Sequence, residues 1–500
     1  MKFHAKNITG VRLNKQDVLQ LKLNEQIIYP YVSRSNYNIF TVTVTSSNLR
    51  VSLSDNDNVI CHNNSPVYVD WGDGITTATT YHYYKEPGTY TIKTTCFFDT
   101  YKNEEAITSC YTDIVDLISL RYDIKDMNYL LSNSTLMKTA NLGYYDTTQM
   151  TRMDYLFYKC KALESIDMRR WNTSNVTNMT NMFYYCEKLA SLDVSNFNTE
   201  NVIDMSWMFS GCKTLTSLNL SNFDTRKVTN MKGMFYDCNN LTSLSIRYLY
   251  TGNVTDMRSM FANCERLAHI DISNFNTSNT VCMAGMFQNC SRLTALNLRH
   301  FDTRKVDCMS QMFAGCYTLT ELDLSNFNTS NVGEMVWMFN GCENITTLDL
   351  SNFDTGKVTT TREMFKNCKN LESLNLSGWN TSKVEDFRGM FNGCTKLKTL
   401  DMRDFNFDSV DDVGNASGVM DFFTGCESLE ELRLDNCDSA VPFLLLYYAD
   451  AGQNPTYPVN FPTGDLYDSE GNKIQRKIYC KEKSVAGLSV PDGWEFVFVD

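Results

Sequence analysis

The stretch "SNFDTRKVTNMKGMFYDCNNLTSLSI", residues 221–246, decides the fold, because the chain keeps returning to it. It reappears as "SNFNTSNVGEMVWMFNGCENITTLDL" at 325–350 and as "SNFDTGKVTTTREMFKNCKNLESLNL" at 351–376. Cysteines 160, 186, 212, 238, 264, 290, 316, 342, 368 and 394 follow one another at intervals of 26 residues. Cys426 falls after a six-residue insertion near "DSVDDVGNASGVM". Thr173 to Thr381 and Phe183 to Phe391 keep the same step. A fixed period of this size signals a solenoid, in which each copy buries its apolar face only by stacking on its neighbours. About eleven copies fill 140–436.

Each copy shows two hydrophobic rhythms. "SLDVSNF" alternates through Leu192, Val194 and Phe197, which predicts a short strand with one buried face. Val202, Met205, Met208, Phe209 and Cys212 then recur at i, i+3, i+6, i+7 and i+10, the stripe of a helix of about three turns. Between them, "NTEN" or "DTRK" offers side-chain oxygens suited to capping a helix N-terminus. The expected copy is strand, turn, helix, turn, with a parallel sheet on one wall and short helices on the other.

The recurring cysteine reads as a row of small buried thiols, since free cysteine is among the most buried residue types. Stacked helices sit about 8–10 Å apart, whereas a disulfide needs Cα atoms closer than ~7 Å. Zinc sites want ligands a few residues apart, and the chain has five histidines in all.

The repeat phrase, as in "LDLSNFNTSNVGEMVWMFNGCENI", resembles the 26-residue copies of BspA-like leucine-rich-repeat surface proteins over 140–436. That resemblance implies a leucine-rich-repeat solenoid and a role in adhesion or recognition. "VYVDWGDG" with "YHYYKEPGTYTIK" resembles a polycystic-kidney-disease (PKD) domain, an immunoglobulin-like all-β sandwich, over 35–110. It implies a core Trp71 and a "GDG" turn at 72–74, in which Asp70 and Asp73 read as turn residues rather than a calcium pair. "VRLNKQDV" at 11–18, echoed by "LKLNEQII" at 21–28, resembles a short β docking element of phage tail and fibre proteins, placed at 1–34. Residues 111–139 are expected to cap the solenoid at one end. The segment 437–500 caps the other, with a strand at Ile478–Cys480 and an apolar plug of Trp494, Phe496 and Phe498.

The 500 residues carry a formal charge of −13 with 43% apolar and 21% charged residues. This describes a folded chain and argues against a nucleic-acid binder, which would need a basic surface. The apolar run "VPFLLLYY" at 441–448 is too short to cross a bilayer, so no membrane insertion is expected. The opening "MKFHAKNITGVRLNKQ" shows no leader and the closing "GWEFVFVD" no anchor. No nucleophile, phosphate-loop or zinc-protease motif occurs. The recurring strand carboxylates and amides (Asp193, Asn219, Asp271, Asn297, Asp323, Asp349) belong to the repeat rather than to a catalytic pair. The chain is therefore expected to be non-enzymatic, without a cofactor or metal.

Binding is argued from columns that vary. The strand side departs from its consensus at Arg247–Tyr248, Arg299–His300 and Arg403–Asp404, and Trp207 and Trp337 stand out on the other wall. Arg, Tyr and Trp are enriched at binding hot spots. The N-terminal resemblance, with no leader and no anchor in view, implies a phage virion component of tail- or head-fibre type. Its solenoid would meet a host-surface protein or glycan, its N-terminal element other virion proteins, and homo-oligomers would be one arrangement. A bacterial cell-surface adhesin is the alternative, and an intracellular scaffold a third class.

Overall fold

The computed structural model describes residues 21–23, 26–29, 38–44, 49–52, 69–79, 81–94, 114–119, 127–143, 145–410, 418–435, 462–485 and 490–499. Two compact units divide the chain, one of residues 1–201 with 212–215 and the other of 202–211 with 216–500.

In the first unit Leu21–Leu23 pairs antiparallel with Gln26–Tyr29. The phrase at 11–18 lies outside the described residues. A seven-stranded sheet runs in the order Ser165–Asp167, Thr139–Asn141, Ile114–Ser119, Asn38–Val44, Gly88–Thr94, Val69–Asp70, Thr76–Thr77. The first three strands are parallel and the rest antiparallel, so one sheet joins the N-terminal strands to the first repeat coils. Leu49–Ser52 and Tyr81–Tyr84 form a separate antiparallel pair. Trp71, Tyr84, Ile92, Val69, Ile39 and Val42 are buried. Trp71 Nε1 donates to Thr77 Oγ1 (2.8 Å), and the Tyr84 hydroxyl donates to the Trp71 carbonyl (2.8 Å). Gly72 has φ 79°, and a Cβ there would collide with the Thr91 backbone, so the turn after Trp71 requires glycine.

In the second unit Ser217–Asn219 pairs with Ser243–Ser245. Thr347–Asp349, Ser373–Asn375, Thr399–Asp401, Glu431–Arg433, Arg476–Cys480 and Trp494–Phe498 form one parallel sheet. The expected C-terminal strand is present at Arg476–Cys480, and Trp494 is buried. Phe498 is 54% exposed rather than plugged in, because its strand is the outermost of the sheet; it stacks on Phe496 at 6.4 Å.

The wall expected to be helical is not. Among the described residues the one helix is the 3₁₀ turn Glu482–Val485. The apolar stripe is real: Val228, Met231, Met234, Phe235 and Cys238 are fully buried. The backbone beneath it is a run of overlapping turns. Met234, Tyr236 and Cys238 donate to carbonyls three residues back, at 3.0–3.3 Å. Met231, Gly233, Phe235 and Asp237 donate instead to Asp256, Arg258, Met260 and Ala262 of the next coil, at 2.8–3.0 Å. Gly233 and Asp237 sit at positive φ (58° and 60°), and such a pair recurs along the array, as at Ser259 and Asn263 or Glu363 and Asn367. Three-residue turns keep the i, i+3 stripe of a helix. A helix would send each N–H back four residues, and one of three turns is marginal by itself. Stacking supplies a carbonyl in the neighbouring coil for alternate N–H groups, and that ladder wins. In-register bridges continue through Asp204, Asn230, Asp256, Cys282, Cys308, Glu334, Thr360 and Asp386.

Bonded this way, coils approach at strand spacing, not at the 8–10 Å of packed helices. Phenylalanine rings stack face to face coil upon coil, Phe235 on Phe261 at 5.7 Å and 4°, and Phe365 on Phe391 at 5.7 Å and 4°.

Candidate binding surface

Three side-chain rows hold the coils in place. Each row cysteine is buried. Cys160 Sγ donates to Leu131 O, and from Cys186 onward each thiol donates to the carbonyl of the phenylalanine one coil earlier, for example Cys290 Sγ to Phe261 O and Cys316 Sγ to Phe287 O, both at 3.2 Å. The same carbonyl also accepts its own coil's cysteine N–H, as Phe287 O does from Cys290 at 3.1 Å. A small buried donor that fills the second lone pair is what the repeat needs at this position. The expectation of buried, unbridged thiols stands, but its distance argument does not, since the coils are not helices 8–10 Å apart. Burial pushes the Cys212, Cys316 and Cys368 thiols up to about 12, which keeps them neutral and inert.

The threonine row stitches coils rather than capping helices. Thr277 Oγ1 donates to Asp302 O (3.0 Å) and accepts Asp302 N–H (2.7 Å); Thr303 does the same with Asn328. The preceding Asn or Asp accepts the N–H two residues on, as Asn276 does from Ser278 (3.0 Å). The strand-side column behaves alike. Asp271, Asp323 and Asp349 accept from Ser273, Ser325 and Ser351 at 3.0–3.1 Å. These carboxylates are occupied in turns. Asp323 is held down to about 2 by the Ser325 hydroxyl and N–H and then by Arg299. In the first unit Asp70 and Asp73 likewise accept from Gly72 and Ile75, and Asp73 Oδ2 lies 2.7 Å from His82 Nε2.

The seven residues singled out from the sequence fall into separate settings. Arg299 Nε donates to Asp323 Oδ2 of the next coil (2.7 Å), and His300 Nε2 lies 2.9 Å from the Ile272 carbonyl. Arg403 pairs with Asp401 of its own coil. Arg247 lies 3.8 Å from Asp271 beside the exposed Tyr248 (67%) and Tyr250 (44%). Trp207 and Trp337 share the left-handed column of the turn wall, with φ 57° and 58°. At 337 − 207 = 130 residues they are five coils apart, roughly 24 Å at ~4.8 Å per coil, so they do not share a site. Trp207 covers Gly233, meets Tyr236 edge-on at 5.4 Å and lies under Lys232 Nζ at 5.6 Å.

Trp337 lines a groove. The groove has a volume near 410 Å³ and crosses four successive coils, with Asn289, Tyr317, Trp337, Asn340, Glu363 and Lys366 among its walls. Tyr317 is 45% exposed. The rim charges are matched, Lys366 with Glu363 (2.9 Å) and Lys369 with Glu343 (2.8 Å). Trp337 Nε1 is buried without an acceptor among the described residues. The sequence reading missed Tyr317, though a signal existed. Its column otherwise carries Lys213, Asn239, Glu265, Ser291, Glu343 and Lys369.

Stacked parallel coils with leucine, phenylalanine and cysteine rows define a leucine-rich-repeat type of solenoid. The chain belongs to the family described as "Mycoplasma protein of unknown function, DUF285", whose model matches residues 121–218, 204–321, 243–347 and 309–430, more than half of the 500 residues. No curated protein matches the chain. Similar solved structures include a TLR13–ssRNA13 complex, at 16% identity over 68% of this chain and 54% of that one (TM-score 0.25). This chain thus spans about half the length of that protein. Others are a leucine-rich-repeat protein of Leptospira interrogans, at 14% identity over 63% and 88% (TM-score 0.18), and the functional domain of InlJ from Listeria monocytogenes, described as including a cysteine ladder, at 17% over 58% and 58% (TM-score 0.14).

Proposed function

We propose that this chain is a non-enzymatic recognition protein that holds a glycan on the turn wall of its repeat coils. The observation that carries the reading is the groove around Trp337 and Tyr317. Two aromatic faces, several amides and internally neutralised charges suit an uncharged, hydroxyl-rich ligand, which stacks its C–H face on a ring and hydrogen-bonds at the edges. The occupied strand carboxylates support a binding role over hydrolysis. A second reading, a protein partner, rests on Arg247, Tyr248 and Tyr250, which expose two tyrosines and an arginine on one coil, the composition of a hot spot.

Within this reading, 140–436 is the display array, 111–139 and 437–500 are its caps, 35–110 is a PKD-like sandwich and 1–34 docks the molecule to its carrier. Sequence resemblance favours a virion as that carrier, with a bacterial cell surface as the alternative. Mass spectrometry of purified particles and of cell-wall fractions separates the two. The groove is tested by applying labelled full-length protein to a glycan array. Binding that falls at least about ten-fold in both Trp337→Ala and Tyr317→Ala supports it. Binding unchanged in those variants but lost in Tyr248→Ala moves the contact to the strand side.

A further inference from the structure

The bridge column of the turn wall carries polar residues in most coils of the second unit: Asp204, Asn230, Asp256, Glu334, Thr360 and Asp386. In two successive coils it carries Cys282 and Cys308 instead. These thiols are distinct from the buried row, because both are half-exposed. They face each other in register as a parallel bridge, and Cys282 Sγ lies 3.9 Å from the Cys308 carbonyl. Backbones bridged this way run about 4.8 Å apart, inside the ~4.4–6.8 Å window for the Cα atoms of a disulfide but near its short end.

We infer that Cys282 and Cys308 are a redox-responsive dithiol that closes into a reversible disulfide between successive coils, with low-molecular-weight disulfides as the oxidant. One thiolate of the pair attacks one sulfur of the small disulfide, forming a mixed disulfide and expelling one small thiolate. The other thiol gives up its proton and attacks the modified cysteine's Sγ, expelling the second. Two protein thiols are oxidised by two electrons, and one small disulfide is reduced to two thiols.

The two thiols share one environment. The Ala284 N–H favours a thiolate at Cys282 and the Ser310 N–H one at Cys308; Arg258, itself paired with Asp256 of the preceding coil, adds to the first, and Glu334 of the next coil opposes the second. Either sulfur can therefore attack, and the other resolves the mixed disulfide. The close spacing is imposed by the ladder, so the bond sits away from relaxed geometry and reopens readily in excess thiol.

The test uses the reduced full-length chain incubated with oxidised glutathione at neutral pH, blocked with iodoacetamide and mapped by peptide mass spectrometry. The expected product is a linked pair of Cys282 and Cys308 peptides, lighter by two hydrogens, that reverts in excess reduced glutathione while the buried row stays unmodified. In Cys282→Ser, glutathione should remain on Cys308. In Cys308→Ser, glutathione should remain on Cys282. Serine suits a column that is polar in other coils, and Cys282→Thr and Cys308→Thr, which copy Thr360, repeat the test if serine disturbs folding. The proposal is overturned if the native chain takes up iodoacetamide at both cysteines but never links them. It is equally overturned if glutathione stays on both, or if neither reacts until the protein is denatured.

Discussion

Replacing Gly233 by alanine tests how the turn wall is packed. Gly233 lies at φ 58° beneath the Trp207 ring, and a Cβ built on it falls well inside contact distance of the indole carbons. Two costs add. A side chain in the left-handed region costs about 1–2 kcal/mol. The fold tolerates that part, since Ser259, Gln311 and Glu363 occupy the same column at φ 53°, 63° and 50°. Overpacking against the ring costs a further ~1–3 kcal/mol, giving ~2–5 kcal/mol in all. In a Trp207→Ser background the second cost vanishes, so the two substitutions should couple by about 1–3 kcal/mol, as contacting residues do. Unfolding of a repeat array is not all-or-none, so the assay is native-state hydrogen exchange of peptides covering 203–237, read as local opening free energies. If Gly233→Ala costs the same in both backgrounds, the ring does not lie over Gly233 and the described packing is wrong.

Other expectations follow from the three rows. Thr277→Val leaves the Asp302 N–H and carbonyl without their partner; it should weaken exchange protection around 277–303 by about 1–3 kcal/mol, and a change under a few tenths would contradict the stitch. Row thiols such as Cys316, raised to about 12 in the folded chain, ionise first in the unfolded chain. Their contribution is therefore whole below pH ~8.5 and declines above it by about 1.4 kcal/mol per thiol per pH unit. Thermal melts under reductant should show the midpoint falling steeply between pH 8 and 10, with a flat profile counting against buried thiols. The Asp323 carboxyl, held at about 2, stabilises the fold above the ordinary carboxylate range and loses that effect as pH falls toward 2. Carbon-13 NMR should place its titration there in the wild type and nearer 4 in Arg299→Ala with Ser325→Ala.

The exact period of 26 determined from the sequence alone that the coils stack in register, and with it which columns are buried. Phe, Met and Cys columns lie inside as expected, because repetition leaves a residue and its equivalents one common environment; the Thr column, read as caps, lies inside as well. The backbone of the turn wall was not legible in the same way. Val228, Met231, Met234, Phe235 and Cys238 have the same spacing on a helix as on a run of three-residue turns. Only the neighbouring coil, with a carbonyl waiting for each alternate N–H, decides between them. The groove is tertiary for a related reason. Asn289, Tyr317, Trp337 and Glu363 come from four coils, so no single copy holds it. Side-chain columns are a local property that repetition makes visible; hydrogen-bond partners and concavities exist only once the coils are laid against one another.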